Sequence, residues 1–262
     1  MKTTELLECA EHLSEGINDP NIFKAIFMAG GPGSGKSTIA NLMFGIDRDL
    51  VKSKRGPINY SSLGLKFASS DEILERLAKV KGISLDMLRE LSQEQQLNRE
   101  HAKRLTNMRR AGWINGMLGL VVDGTARDFA KIKKSRDYLE MIGYDTGMVF
   151  VNTSLDVALE ANRRRERSVP EDVVRKSWDA VQQNMGKFQK LFGKRNFLIV
   201  DNSARLSGDQ FKELGDRISQ EARRWLSKPL ANPIGVSIVN FLRSTGGKTL
   251  SDIPKGFEAR RV

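Results

Sequence analysis

The sequence predicts an α/β protein built on a five-stranded parallel sheet with helices on both faces, and three observations carry that expectation. Five short apolar or β-branched runs, at 22–29, 64–69, 118–123, 145–152 and 196–201, alternate with longer amphipathic stretches, which is the pattern of βα units. Each run is close to continuously apolar in its middle, as a strand covered by helices on both sides must be. The third observation is a glycine-rich segment, Gly30-Gly31-Pro32-Gly33-Ser34-Gly35-Lys36-Ser37, between the first run and a helix-like stretch at 38–44.

Along the chain, residues 1–21 read as an N-terminal helical segment, 22–227 as the main domain and 228–262 as a C-terminal extension. The stretch 47–63 carries Lys52, Lys54, Arg55, a Gly56-Pro57 turn and Tyr60, and reads as a basic connecting loop. A helix is expected to start near Asp71 and reach about Lys79. Residues 84–113 follow as one long polar helix or a helical pair, longer than a minimal crossover, so 81–115 is taken as a helical insertion. The last strand, Phe197-Leu198-Ile199-Val200, is the plainest of the five.

The chain has 262 residues, enough for one α/β domain with additions and a buried core. Hydrophobic content of 39%, charged content of 29% and no apolar run of bilayer length argue against a membrane protein. The first residues lack an apolar core and cleavage site of a secretory leader, so an intracellular, cytoplasmic protein is expected. A lone Cys9 and two histidines leave no framework for a disulfide or a zinc site. The formal charge of +11 favours a polyanionic partner, DNA above all, because clustered cations gain by releasing counterions from nucleic acid.

The glycine-rich segment matches G-x-x-x-x-G-K-[ST], with Gly30, Gly35, Lys36 and Ser37 in the fixed places. Glycines let the backbone curl so that successive N–H groups face phosphate oxygens, and the helix that follows adds partial positive charge. Gly31, Gly33, Ser34, Gly35, Lys36, Ser37 and Thr38 are therefore the expected triphosphate cradle, with ATP as nucleotide. Lys36 is placed to reach the β- and γ-phosphates, and Ser37 to offer an oxygen to Mg²⁺. Two look-alikes are set aside. Leu206-Ser207-Gly208-Asp209-Gln210 lacks the apolar strand and paired acids of a transporter signature, and Gly247-Lys248-Thr249 has Leu242 where the first glycine belongs.

The guanine-reading N-K-x-D pattern is absent, which argues against a GTPase switch. Phosphoryl transfer to an acceptor needs an acid to orient or deprotonate a hydroxyl and cations to neutralise the moving phosphoryl. Asp71, just after the second run, is the acceptor-acid candidate, and it also suits the cap of a helix beginning at Glu72. Asp123 ends the third run, where a carboxylate can touch Mg²⁺ or its water shell; Asp128 is a weaker candidate nearby. Asn162-Arg163-Arg164-Arg165-Glu166-Arg167-Ser168-Val169-Pro170 puts four arginines in five residues, with Arg163 and Arg167 on one helical face and Arg164 beside them. Such a group can clamp phosphates, and Ser168 and Pro170 make the break a hinge candidate.

Taken together, the phosphate-loop motif, Asp71, the Asp123-Gly124-Thr125 strand end and the arginines running into Val169-Pro170 and Val174-Arg175 resemble the polynucleotide-kinase and zeta-toxin group of P-loop kinases. Within that group the chain is most similar to phage-encoded kinases that phosphorylate 5-hydroxymethyluracil bases in DNA during thymidine hypermodification. The resemblance spans about residues 22–225. It implies that Asp71 activates the acceptor, that one of Arg163, Arg164 or Arg167 is the catalytic lid arginine, and that Asp201-Asn202-Ser203 lies beside the adenine. No phosphatase domain with paired aspartates accompanies it, which disfavours a bifunctional end-healing enzyme.

Overall fold

The computed structural model describes residues 16–45, 63–82, 92–164, 168–204 and 208–244. Five strands, β1 (Lys24–Ala29), β2 (Lys66–Ala68), β3 (Leu120–Asp123), β4 (Asp145–Asn152) and β5 (Phe197–Asp201), form one sheet of order β2-β3-β1-β4-β5. All four pairings are parallel, with Met28 opposite Asp123 on one side of β1 and opposite Val149 on the other. The expected five-stranded parallel α/β fold is the observed one.

Between the strands run α1 (Lys36–Phe44), α2 (Ser70–Lys81), α3 (Gln93–Asn115), α4 (Phe129–Met141), α5 (Leu155–Arg163), α6 (Glu171–Phe192), α7 (Gly208–Leu226) and α8 (Pro233–Ser244). Side chains alternate along each strand, so one core forms on each sheet face. Ala25, Phe27, Leu120, Val122, Met148 and Phe150 pack with Trp113 of α3, Leu139 of α4, Phe188 of α6 and Val239 of α8. Ile26, Met28, Val121, Val149 and Val151 pack on the opposite face with Ile39 and Phe44 of α1 and Leu214 and Ile218 of α7. Every residue of β1 is buried, because this strand has neighbours on both edges and helices on both faces. Burying a Phe or Ile side chain stabilises by roughly 1.5–3 kcal/mol, so β1 is the most firmly held platform available to the loop that follows it.

Helix α8, inside the C-terminal extension, belongs to the first core through Val239 and Leu242. Asp145 holds its approach: Oδ2 accepts from Lys24 Nζ at 2.7 Å and from Ala231 N–H at 3.0 Å, and Oδ1 accepts from Asn232 N–H at 2.8 Å. Close packing completes the joint, since a Cβ at Gly235 would lie 2.2 Å from the Gly143 carbonyl. Beside it, Tyr144 is fully buried and donates its hydroxyl to the Leu118 carbonyl at 3.1 Å. Burial, with Asp19 and Tyr138 adding smaller charge effects, pushes the Tyr144 phenol well above its ordinary value. Among the described residues no helix is long and apolar enough to cross a membrane.

Candidate active site

The candidate residues gather at the carboxyl edge of the sheet, where open parallel folds bind ligands. The chain leaves central β1 at Ala29 and curls through Gly30–Ser37 into α1. Gly33 has φ of 77° and Gly35 has φ of 79°, left-handed values that side chains rarely adopt. Space makes the same demand: a Cβ on Gly33 would lie 2.1 Å from the Ala158 carbonyl, and one on Gly35 would lie 2.3 Å from Asn202 Nδ2. Lys36 opens α1, Ser37 is half-buried in its first turn, and Thr38 is exposed. Gly31 is half-buried, while Ser34 is fully buried and its backbone N–H donates to the Gly31 carbonyl at 3.2 Å.

Lys36 Nζ lies 2.6 Å from Asp123 Oδ1, with the two side chains 15% and 18% exposed. This contact joins the loop after β1 to the end of adjacent β3. On the other side of β3, Ser69 Oγ lies 3.4 Å from Asp123 Oδ2 and also accepts from the Asp71 N–H at 3.2 Å. Ser69, not Asp71, is thus the N-cap, and the helix begins at Ser70 rather than at Glu72. Asp71 sits in the first turn of α2 with an exposed side chain, just after β2, the strand next to the one that carries Asp123. Lys36, Asp123 and Asp71 therefore come from three neighbouring strand ends.

Asp128 is the N-cap of α4, accepting from the Lys131 N–H at 3.0 Å. The loop before it is shaped from α6, whose Asn184 Nδ2 donates to the Ala126 and Arg127 carbonyls at 3.2 and 2.9 Å. Ala126 takes a φ of 58° while buried, so this loop holds a strained turn directly after Asp123.

Of the three candidate arginines, Arg163 ends α5 and Arg164 caps it, while Arg167 lies outside the described residues. Arg163 pairs with Glu171 at 2.7 Å and Arg164 with Glu160 at 2.6 Å, and all four side chains are largely exposed. Beneath them, buried Asn162 spans the arginine segment with two bonds: Nδ2 donates to the Val169 carbonyl at 2.8 Å, and Oδ1 accepts from the Val169 N–H at 3.1 Å. Asn202 directly follows β5 and donates from Nδ2 to the Ser34 carbonyl of the phosphate loop at 2.9 Å.

Ser69, Asn162, Asn184 and Trp178, whose Nε1 donates to the Thr153 carbonyl at 2.8 Å, were not singled out from sequence. Only Ser69 carries a local signal, as the first of three consecutive cap-forming residues, Ser69-Ser70-Asp71. The other three act on backbone groups that come close only after folding.

A central strand leading into a glycine loop and helix, with strand-end acids on its neighbours, defines a P-loop nucleoside-triphosphate-binding domain of kinase-like build. More particularly, the chain belongs to the AAA domain family AAA_33, whose model matches residues 26–188, more than half of its length. No curated protein matches it in sequence. Among solved structures it is similar to the AvrRxo1-ORF1:-ORF2 complex with ATP, at 17% identity over 82% of this chain and 70% of that one, with a TM-score of 0.53. It is also similar to the PezAT chromosomal toxin-antitoxin system of Streptococcus pneumoniae, at 14% identity over 86% and 96% of the chains and a TM-score of 0.48. Shikimate kinase from Acinetobacter baumannii, in complex with shikimate, matches at 14% identity over 79% and 97%, with a TM-score of 0.43. At these identities the likeness is one of fold.

Proposed function

We propose that this protein is an ATP-dependent phosphotransferase that moves the γ-phosphoryl group onto a hydroxyl carried by nucleic acid, with the hydroxymethyl group of 5-hydroxymethyluracil in DNA as favoured acceptor. The observation that carries the reading is the convergence of Lys36, Asp123 and the Ser69-capped turn bearing Asp71 at three adjacent strand ends. A P-loop lysine alone serves any P-loop nucleotide-binding protein, whereas a further carboxylate on the turn after the next strand but one suits an acceptor hydroxyl.

In this reading the acceptor oxygen attacks the γ-phosphorus as its proton passes to the Asp71 carboxylate. The bond from the γ-phosphorus to the bridging oxygen breaks, and ADP leaves with that electron pair. Lys36 exchanges Asp123 for phosphate oxygen and neutralises charge on the transferring group. Arg163 and Arg164 are available to help, because exposed ion pairs such as theirs with Glu171 and Glu160 are worth only about 0–1 kcal/mol and exchange readily for phosphate.

Ser37 and Asp123 offer a hydroxyl and a carboxylate, hard oxygen donors that fit Mg²⁺. That ion takes one or two protein oxygens together with phosphate and water, and among the described residues no group of three His, Cys, Asp or Glu forms a fuller cage. When bound there, Mg²⁺ would supply positive charge to the phosphate oxygens.

Two features support a polymeric acceptor: the net charge of +11 and the exposed cations Lys103 and Arg104 on α3. Arg109 and Arg110 of the same helix are half-buried, and burial pulls the Arg110 guanidinium below its ordinary value. Lys52, Lys54 and Arg55 lie outside the described residues. The test offers radiolabelled ATP in parallel to DNA containing 5-hydroxymethyluracil, to ordinary DNA with 5′-hydroxyl ends, and to sugar nucleotides. Label on internal bases is expected; label only on 5′ ends or only on sugar nucleotides would reassign the acceptor. Binding to DNA should also weaken steeply with salt, by about one logarithmic unit per phosphate neutralised for each tenfold rise in salt.

A further inference from the structure

A chain of hydrogen bonds ties the phosphate loop to the ends of β4 and β5 and onward to α6. Asn202 Nδ2 donates to the Ser34 carbonyl at 2.9 Å, while the Asn202 backbone N–H donates to the Asn152 carbonyl at 2.8 Å. The Asn202 carbonyl accepts from Thr153 Oγ1 at 3.1 Å, and the Thr153 carbonyl accepts from Trp178 Nε1 at 2.8 Å. Asn152 Oδ1 accepts from Gln182 Nε2 at 3.0 Å. Asn202 therefore has both backbone groups fixed, and its side chain is delivered to the loop by a braced turn.

The contact is backbone-directed and specific. Ser34 C=O and Gly35 N–H belong to one planar trans peptide, so holding the carbonyl toward Asn202 turns the Gly35 N–H the opposite way. Gly35 leaves the room for this, since a Cβ there would stand 2.3 Å from Asn202 Nδ2. Ser34 itself is fully buried and its hydroxyl has no partner among the described residues, so the loop's own side chain offers no alternative anchor.

We infer that Asn202 is a positioning residue for the phosphate loop, locking the Ser34–Gly35 peptide so that the loop's N–H groups stay aimed at a triphosphate regardless of the base it carries. This rests on the proposed triphosphate-binding role of the loop. It separates Asn202 from a base-reading residue, because a lock on the loop affects phosphate affinity and leaves base preference alone.

The test is calorimetric titration of ATP, GTP and inorganic tripolyphosphate, each with Mg²⁺, into wild type, Asn202→Ala, Asn202→Asp and Thr153→Val. Loss of one positioned hydrogen bond should weaken all three ligands in Asn202→Ala by a common factor of about ten, leaving the ratio of ATP to tripolyphosphate affinity unchanged. Asn202→Asp keeps the size but opposes an acceptor to the Ser34 carbonyl, so it should fail as alanine does; restored affinity would show a packing role and overturn the inference. Thr153→Val, which releases the Asn202 carbonyl, should shift affinities the same way by a smaller factor and carries the test if Asn202→Ala does not fold. A loss confined to ATP, or no loss in any variant, would overturn the inference alone. Wild type that binds none of the three ligands would instead remove the triphosphate reading and the inference with it.

Discussion

Replacing Lys36 with alanine should expose two separate roles for this ammonium, one in stability and one in chemistry. Its pair with Asp123, at 2.6 Å and with side chains 15% and 18% exposed, lies between a surface pair and a buried one. Surface pairs contribute about 0–1 kcal/mol and broken buried pairs cost about 3–5 kcal/mol, so stranding Asp123 should cost about 2 kcal/mol. For a chain of 262 residues the unfolding entropy near the midpoint is about 0.55 kcal/mol/K, which makes this a fall in Tm of about 4 °C. Asp123→Asn alone should cost a similar amount, and the double variant should regain most of it, since neither charge is then orphaned. Phosphoryl transfer behaves differently: Lys36→Ala should lose several kcal/mol of transition-state stabilisation, and adding Asp123→Asn should not restore it. Melting curves of the four proteins and a radiometric transfer assay measure both. Additive Tm losses would refute the ion pair as a coupled unit, and recovered transfer in the double variant would refute a direct role of Lys36 on phosphate.

Asp71→Asn should bind ATP as wild type does and transfer phosphate about 10²- to 10⁴-fold more slowly, because it keeps shape and loses the proton acceptor; single-turnover rates check this, and full activity would leave Asp71 no catalytic task. Gly33→Ala, at a φ of 77° and with the Ala158 carbonyl 2.1 Å from the new Cβ, should abolish nucleotide binding. The left-handed backbone alone should cost it about 1–2 kcal/mol in denaturant titration. Tyr144, with its phenol raised by burial, makes stability pH-dependent at the alkaline end. The unfolded phenol ionises near its ordinary value while the folded one keeps its proton, so stability is full below about pH 10 and falls as pH climbs above it. Tyr144→Phe should flatten that fall between about pH 10 and about 11 in urea titrations, and an unchanged slope would refute the assignment.

The sheet was legible because β1, β3 and β4 bury both faces, and a strand of that kind must be written as an unbroken apolar run, while edge strand β5 keeps the apolar run with Ile199 exposed. Its ends were less so. Ile22 and Phe23 look like strand residues yet form a turn, with Phe23 at a φ of 55° and its ring turned into the core against Tyr144. The glycine loop and Asp123 could be located from sequence for a related reason: each lies at or next to a strand end. What sequence alone did not show is the bracing, in which polar side chains hold backbone groups of distant segments. Asn202 reaches Ser34 across 168 positions and Asn184 reaches Ala126 across 58, and no local pattern encodes either partner. Asp71 illustrates a smaller ambiguity, since three cap-forming residues in a row leave the choice among them to the Ser69 rotamer and its neighbour Asp123.

The strand order also bears on when this protein first becomes functional during synthesis. The phosphate loop emerges early, directly after β1, yet β1 lies between β3 and β4 and its loop is braced from beyond β5. A nascent chain that stops at Asp123 leaves one edge of β1 unpaired, and one that stops at Leu226 leaves the first core without Val239 and Leu242. Long-range parallel pairing is slow to form and exposes apolar surface until it closes. The segment written earlier is thus completed by parts written later, so a ribosome-bound fragment holds the motif without yet holding the site.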